Sequence, residues 1–471
     1  MNRTYVPYLA LALMVLVAKV LQAWVDAAPL LFLGDSETYI SSAVEGFTPI
    51  CRSFVYGWPI RWWGLNNGSI MGLVIAQIVA GGITAWLVGA ALLYFYHVRF
   101  RVAGVMTMVF AFDPLQILHE RMVLAETFAL LFFALQLVLA LSYLRRPRLV
   151  TLVSVCGLGL VVVSLRIMFV PVVLAMAVLL PVGAWLNQPC ARRRTWWGPG
   201  LVHLVLAVSV TAALHGAYRQ HIGKAFGGWP PAYQYYDGLM LLAAWAPILQ
   251  PGDATEPLVA ELLKQQADDP DLPLDNRLMR ESQLWANGGL VERLKVVFEG
   301  NALAANTCAK RVCRAALRRD PGAVLRLAWQ SFGDYAFRWD RHGLRLWSEQ
   351  GSDRQPSAPF QALLRERLAW NAAEVHSTPT PSKRFHLMAG PWYVFLFFSP
   401  LLWLATVAGG SSFERISGLL LFGFTALLVA VLCATGATTV LRYLHPFSFT
   451  ALLAAGVLAE RALTRRAGPV A

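Results

Sequence analysis

Charge is scarce in this 471-residue sequence: only 14% of its residues are Asp, Glu, Lys or Arg, and 27 acids face 40 lysines and arginines. A chain that is 57% hydrophobic, with a mean hydropathy of +0.52, carries more apolar surface than one soluble core could hide, which excludes an ordinary soluble domain. Cysteine is scarce too. The six cysteines contain no Cys-x-x-Cys pair, which argues against a zinc site. Cys156 and Cys433 fall in apolar runs and Cys51 and Cys190 stand alone. Cys308 and Cys313 leave a disulfide open in an oxidising compartment, although their spacing suits a turn better than a continuous helix. The sequence shows no internal repeat, no low-complexity tract and no cleavable signal peptide. Its first apolar run, Tyr8 to Ala28, is too long for a signal h-region and ends in acidic sequence, so it is expected to stay as an anchor.

What the chain does have is a series of apolar runs, each able to cross a hydrocarbon core of roughly 30 Å. They predict an all-α integral membrane protein with about ten transmembrane segments, at 7–28, 69–95, 102–118, 123–144, 149–165, 167–187, 199–216, 391–409, 415–434 and 437–459. The basic residues sit between these runs: Arg99 and Arg101; Arg145, Arg146 and Arg148; Arg192, Arg193 and Arg194; Arg461, Arg465 and Arg466. Spread in this way, a net charge of +13 is a topology signal and not a nucleic-acid patch, which would gather its cations on one soluble face. With both termini cytoplasmic, every cluster falls on the cytoplasmic side of a bacterial inner membrane. Reporter fusions after Arg148 and Arg194 are therefore expected to read cytoplasmic, and fusions at Gln265 and Ser357 periplasmic. A cytoplasmic reading at Gln265 would overturn this orientation.

The orientation divides the chain into a membrane portion 1–216 with an outer loop 29–68, a polar outer-face region 217–390, and a membrane portion 391–471. In the polar region, Pro-rich loops alternate with stretches such as Glu256 to Gln266 and Pro321 to Trp339, whose apolar residues recur at three- and four-residue spacing. Its tryptophans (Trp285, Trp329, Trp339, Trp347, Trp370) are too many for a disordered segment, and a mostly helical domain is expected between the seventh and eighth segments.

Ionisable residues at the membrane are few and each needs a reason. Lys19 and Asp26, seven residues apart, share one helical face and suggest a structural pair. The stretch LGDSETYISSA at 33–43 sets Asp35, Glu37 and Tyr39 just outside the first segment, where Asp35 and Ser36 could also simply cap a short helix. Glu120, in a short outer loop His119-Glu120-Arg121, and Glu126, at the start of the fourth segment, should lie near the same level. Arg166 falls at an outer junction. Arg442, inside the last predicted segment, calls for a partner: a phosphate held by paired charge-assisted hydrogen bonds, or an internal carboxylate.

The order of these features resembles the GT-C class of polyprenyl-phosphate-sugar-dependent glycosyltransferases, in particular the bacterial relatives of protein mannosyltransferases and lipid A aminoarabinose transferases. The matching residues are GDSETYISSA at 34–43, RSFVYGWPIRWW at 52–63, HERMVLAET at 119–127, SLRI at 164–167 and LRYLHPF at 441–447. The likeness spans most of the membrane portion and leaves the polar region uncovered. It departs from the family where Ser36 separates two acids that are adjacent in many relatives, and where Ser53 replaces an expected proline.

The resemblance implies an inverting transfer of sugar from a polyprenyl-phosphate carrier to a hydroxyl of an envelope glycan, lipid or protein at the outer face of the membrane. Asp35 would be the base. Arg442, Arg166 and Arg52 would hold the donor phosphate, and Glu37, Tyr39, Tyr56 and Tyr443 would position substrate. Glu120 or Glu126 would be a second acidic site that in some members helps hold a divalent metal. Two other classes share the topology: a transporter or flippase of lipid-linked sugars, and an outer-face glycan ligase or polymerase. Pseudo-symmetric halves and mid-membrane helix breaks would favour the transporter, and the sequence shows neither. Chemistry centred on a later loop would favour the ligase.

Overall fold

The computed structural model describes residues 5–32, 34–189, 196–337, 356–371, 380–437 and 441–466. Leu33, Cys190, the Arg192 to Arg194 cluster, Trp339 and Trp347 lie outside the described residues. The regular structure is helical, and among the described residues the one β pairing is an isolated parallel bridge between Leu30 and Met122. Seven helices are long and apolar enough to cross a bilayer, two bent pairs raise that to nine, and Leu149–Leu165 is a shorter apolar helix of 17 residues. The protein is a multi-pass, all-helical membrane protein.

Each of the ten predicted segments contains helix, with four corrections, two of them breaks inside segments read from the sequence as unbroken. The 102–118 segment is broken into Phe100–Ala111 and Pro114–Arg121, bent by 47°. The break lies at Asp113, whose side chain accepts from the amides of Leu115 and Gln116 and so caps a new helix that begins at Pro114. Proline has no amide to continue the old helix and its ring suits the first position of a new one. The 391–409 segment also divides, into Gly390–Phe398 and Pro400–Val407, bent by 49° at Pro400 without a side-chain cap. The last segment begins late: a short 3-10 turn, Leu441–Leu444, precedes the helix His445–Arg466, so Arg442 stands at the entrance of that helix and not inside it. The 199–216 segment also runs on, as Trp197–Ala225.

Two expectations about polar residues fail. Lys19 does not pair with Asp26. Its ammonium lies 2.6 Å from Glu120 Oε1 and donates to the carbonyl of Ala111 and to Gln22, while Asp26 accepts from Ser382. Nor is His119-Glu120-Arg121 a loop: these residues end the Pro114–Arg121 helix and are fully buried. Glu120 also receives Arg121 and Gln116, at 3.0 and 2.9 Å. A buried carboxylate with three such partners is stable where a lone one would not be. The helix Ile70–Phe95 makes room for it with Gly81, where an added Cβ would sit 1.8 Å from Glu120 Oε1.

The polar region forms a second helical unit with its own core, in which Leu239, Leu263, Leu294, Ala309 and Val312 are buried together. The expected helices appear as Pro257–Ala267 and Pro321–Phe337. Cys308 and Cys313 lie on one continuous helix, Ala302–Arg319, and are free thiols, so the disulfide is not formed. The unit is not a detached appendage. The Pro321–Phe337 helix gives Val324 and Leu327 to the second core but Tyr335 and Ala336 to the membrane core, and Ala358–Leu368 packs on the membrane core through Phe360 and Leu364.

Candidate active site

The chain after the first helix runs extended beside residues 121–123, with Leu30 N donating to Arg121 O and Val123 N to Leu30 O. It then turns through Gly34, whose φ of +90° is open to glycine at low cost, into the helix Asp35–Glu45. Gly34 is the cap residue, and no side chain caps this helix. The capping reading of Asp35 and Ser36 is therefore overturned. Ser36 Oγ instead accepts from Phe32 N and donates to Val123 O, which fixes the start of the helix against residues 121–123.

With its helix fixed, Asp35 is 4% exposed and gripped by two arginines from distant parts of the chain. Arg52 Nη2 lies 2.5 Å from Oδ1 and Arg442 Nη1 lies 2.9 Å from Oδ2. Burial by itself would raise the Asp35 carboxyl, but the charges of Arg442, Arg52 and Arg166 outweigh it and hold the group below the usual carboxylate range. Arg166 caps the end of Leu149–Leu165 and pairs with Glu126, the first residue of Glu126–Arg145. Glu126 Oε1 is also 3.9 Å from Arg442 Nη1, which joins the two pairs into one cluster. The aromatic rings of Tyr443 and Phe32 lie under the Arg442 guanidinium, at 5.3 and 4.7 Å, and Tyr443 also faces Arg166.

Three guanidinium groups thus meet two carboxylates, leaving one positive charge unmatched within the cluster. Arg52 Nε, Arg442 Nε and Glu126 Oε2 are buried without a hydrogen-bond partner among the described residues. Beside them is a small cavity lined by Glu126, Arg166, Met168, Phe169, Arg442 and His445. The arrangement can bind a singly charged anion, orient it with planar guanidinium forks, and present a carboxylate at its edge.

Of the residues expected at the site, Asp35, Arg52, Arg166, Arg442, Glu126 and Tyr443 come together. Tyr39 and Tyr56 lie behind Asp35 with rings 4.9 Å apart, both buried, and the Tyr56 hydroxyl donates to Gln77 at 2.5 Å. Glu37 is half-buried and makes no ion pair among the described residues. Glu120 is apart, engaged by Lys19 and Arg121. Of the two candidate second acids, only Glu126 faces the cluster. Among the described residues no group of three or more His, Cys, Asp or Glu is arranged to hold a metal ion.

Three participants escaped the sequence reading. His445 lines the cavity and is held through Nε2 by Gln116 Oε1 at 2.8 Å, and its place in LRYLHPF beside Arg442 was a usable signal. Phe32 sits under Arg442, and Trp285 under Arg52. Nothing in the pattern around these two marks them.

No protein-family model and no curated protein matches the chain. Among solved structures the chain is similar to ArnT from Cupriavidus metallidurans in the apo state, at 13% identity, covering 92% of this chain and 77% of that chain, with a TM-score of 0.30. A TM-score that low fixes neither fold nor chemistry, so both rest on the geometry above.

Proposed function

We propose that this protein is an inverting glycosyltransferase that moves a sugar from a polyprenyl-phosphate carrier to a hydroxyl acceptor at the outer face of the membrane. The observation that carries the reading is Asp35 clamped between Arg52 and Arg442, the second of which also lines a small cavity together with Arg166. A sugar joined to a lipid phosphate is a phosphodiester with one negative charge, which matches the one unmatched positive charge of the cluster.

Donor binding and base activation then follow from the same contacts. The donor phosphate competes with Asp35 for the forks of Arg442 and Arg52. As those arginines turn to the phosphate, Asp35 loses its stabilising cations and becomes a stronger base. It takes the acceptor hydroxyl proton while the acceptor oxygen bonds to the anomeric carbon from the face opposite the phosphate. The bond from that carbon to the phosphate oxygen breaks, and its electron pair leaves with the lipid phosphate as a second negative charge. Asp35, now neutral, no longer needs either arginine, so both can stabilise the leaving group. No general acid is required, because stabilising the developing charge suffices.

The exchange has a signature in pH. The acid limb of kcat/KM for the donor reports free enzyme, and that of kcat reports the loaded enzyme. With Asp35 held low in the free state, the kcat/KM limb should lie below the ordinary carboxylate range. The kcat limb should lie at higher pH, because fewer cations then favour the ionised form. Coincident limbs would remove the exchange. The reaction itself is tested by incubating the purified protein in nanodiscs with a defined polyprenyl-phosphate sugar and a membrane acceptor extract. A glycoconjugate of inverted anomeric configuration is expected; an intact donor that instead crosses proteoliposome membranes would establish the transporter.

A further inference from the structure

Arg52 and Arg442 reach Asp35 from opposite ends of the chain, and on the way both segments run against the second helical unit. On the first segment, Ile50 and Cys51 pack on the second core, and Ile50 O accepts from Tyr235 N at 3.0 Å. The Arg52 guanidinium lies 5.6 Å from the centre of the Trp285 ring. Trp285 stacks in turn on Tyr236 at 5.8 Å, and Lys295 donates to the Tyr236 hydroxyl at 2.8 Å. On the second segment, the end of the Ser412–Thr435 helix is held by Trp245 Nε1, which donates to Ala434 O at 2.7 Å. Arg280, 4% exposed, donates through Nη1 to Gly436 O at 3.2 Å and to Ser331 at 3.1 Å, and Ala437 packs on the same core.

Arg280 and Trp285 are the first and last residues of one short helix, Arg280–Trp285. That helix therefore touches the guanidinium of one arm of the clamp and, at Gly436, the backbone six residues before the other. We propose that the Arg280–Trp285 helix is a positioning element that sets the placement of Arg52 and Arg442 across Asp35, with Trp285 and Arg280 as its positioning residues. The inference rests on the glycosyltransferase reading. It gives the polar unit a part in donor binding, although among the described residues none of that unit's side chains pairs with Asp35. The physical need is plain: arginine side chains have many rotamers, and two-pronged phosphate recognition works only when the fork is held in place. An aromatic face under the guanidinium restricts it without removing a hydrogen-bond donor.

The test uses the full-length protein in nanodiscs, with Trp285→Ala, Trp285→Phe, Arg280→Ala and Arg280→Lys assayed for transfer from a defined polyprenyl-phosphate sugar. Trp285→Ala is expected to raise the donor KM by about two- to fivefold, the loss expected for a cation–π contact on a half-exposed ring, with a smaller change in kcat. It should also shift the acid limb of kcat/KM to higher pH. The groups facing Asp35 are Arg52, Arg442, Arg166, Tyr39 and Cys51, with Glu126 reaching it only through Arg442 and Arg166, and a loosened Arg52 is the one change among them. Trp285→Phe should restore most of both, since a flat ring remains. Arg280→Ala should raise the donor KM through Arg442, with partial recovery in Arg280→Lys. Unchanged KM and an unmoved acid limb in both alanine variants, with only a lower melting temperature, would show a merely structural helix and overturn the positioning role. A wild-type protein that neither binds decaprenyl phosphate nor cleaves the donor would instead overturn the functional reading, and the positioning role with it.

Discussion

Asp35→Asn is expected to lower sugar transfer by at least about 10² to 10⁴, the usual worth of a positioned general base, in a protein that still inserts and folds. Asparagine keeps the size of the side chain and can still accept through its one oxygen from Arg52 or Arg442, though not from both where they now stand, and it takes no proton at neutral pH. A capping role would predict a mild loss at most, and the helix that begins at Asp35 has no side-chain cap to lose. The substitution also leaves two buried guanidinium groups without their carboxylate, so the empty protein should melt earlier. Lipid phosphate should restore more stability to Asp35→Asn than to wild type, because it now binds cations that nothing competes for. Glu37→Gln is the control: half-buried and without an ion pair among the described residues, it should stay near wild type. Transfer retained by Asp35→Asn and lost in Glu37→Gln would move the base by two residues, and activity in both would favour the transporter.

Arg442→Ala is expected to cost about 2 to 5 kcal/mol of transition-state stabilisation, or roughly 30-fold to several thousand-fold in kcat/KM. The guanidinium is shared between Asp35 and Glu126 in the resting site, and on our reading it passes to the phosphate in the loaded one. Its loss therefore weakens donor binding and also leaves Asp35 less tightly held, so the acid limb of kcat/KM should move to higher pH. Arg442→Lys should recover only part of the activity, since an ammonium carries the charge without the planar fork. Equal kcat/KM in all three proteins, measured with one defined donor, would make Arg442 an ordinary interfacial residue.

Membrane helices were easy to read because an apolar run has only one stable use in a bilayer, and each of the ten runs contains helix. Breaks within runs were harder. Asp113-Pro114 and Ser399-Pro400 are ordinary helix-start signals, but hydropathy averaged over a long window passes across them. Partners of buried charges were not legible. Lys19 and Asp26 share a helical face, yet Lys19 pairs with a residue 101 positions away, because periodicity describes one helix and says nothing about its neighbour. The same gap left Glu120 and Glu126 equivalent: their six-residue spacing does not reveal that one faces Lys19 and the other Arg166. Asp35, Arg52, Arg166 and Arg442 stood out as charges beside apolar runs. Trp285 did not, since a tryptophan in a polar helical region has many ordinary reasons to be there.

The Lys19 to Glu120 pair also has a consequence for synthesis. The first helix reaches the membrane before its counter-ion exists, and at about 5 to 20 residues per second Glu120 follows Lys19 by roughly 5 to 20 s. During that interval an unpaired lysine within the segment costs up to about 2.5 to 3.5 kcal/mol on the insertion scale. Chains halted before Glu120 should therefore hold their first helix loosely and release it to alkaline extraction, whereas chains carrying Lys19→Leu should hold it firmly at the same length. Commitment of the amino terminus to the bilayer then waits on the arrival of Pro114–Arg121, the second half of the bent pair that follows Ile70–Phe95, and the nascent protein stays dependent on whatever shelters its first helix until then.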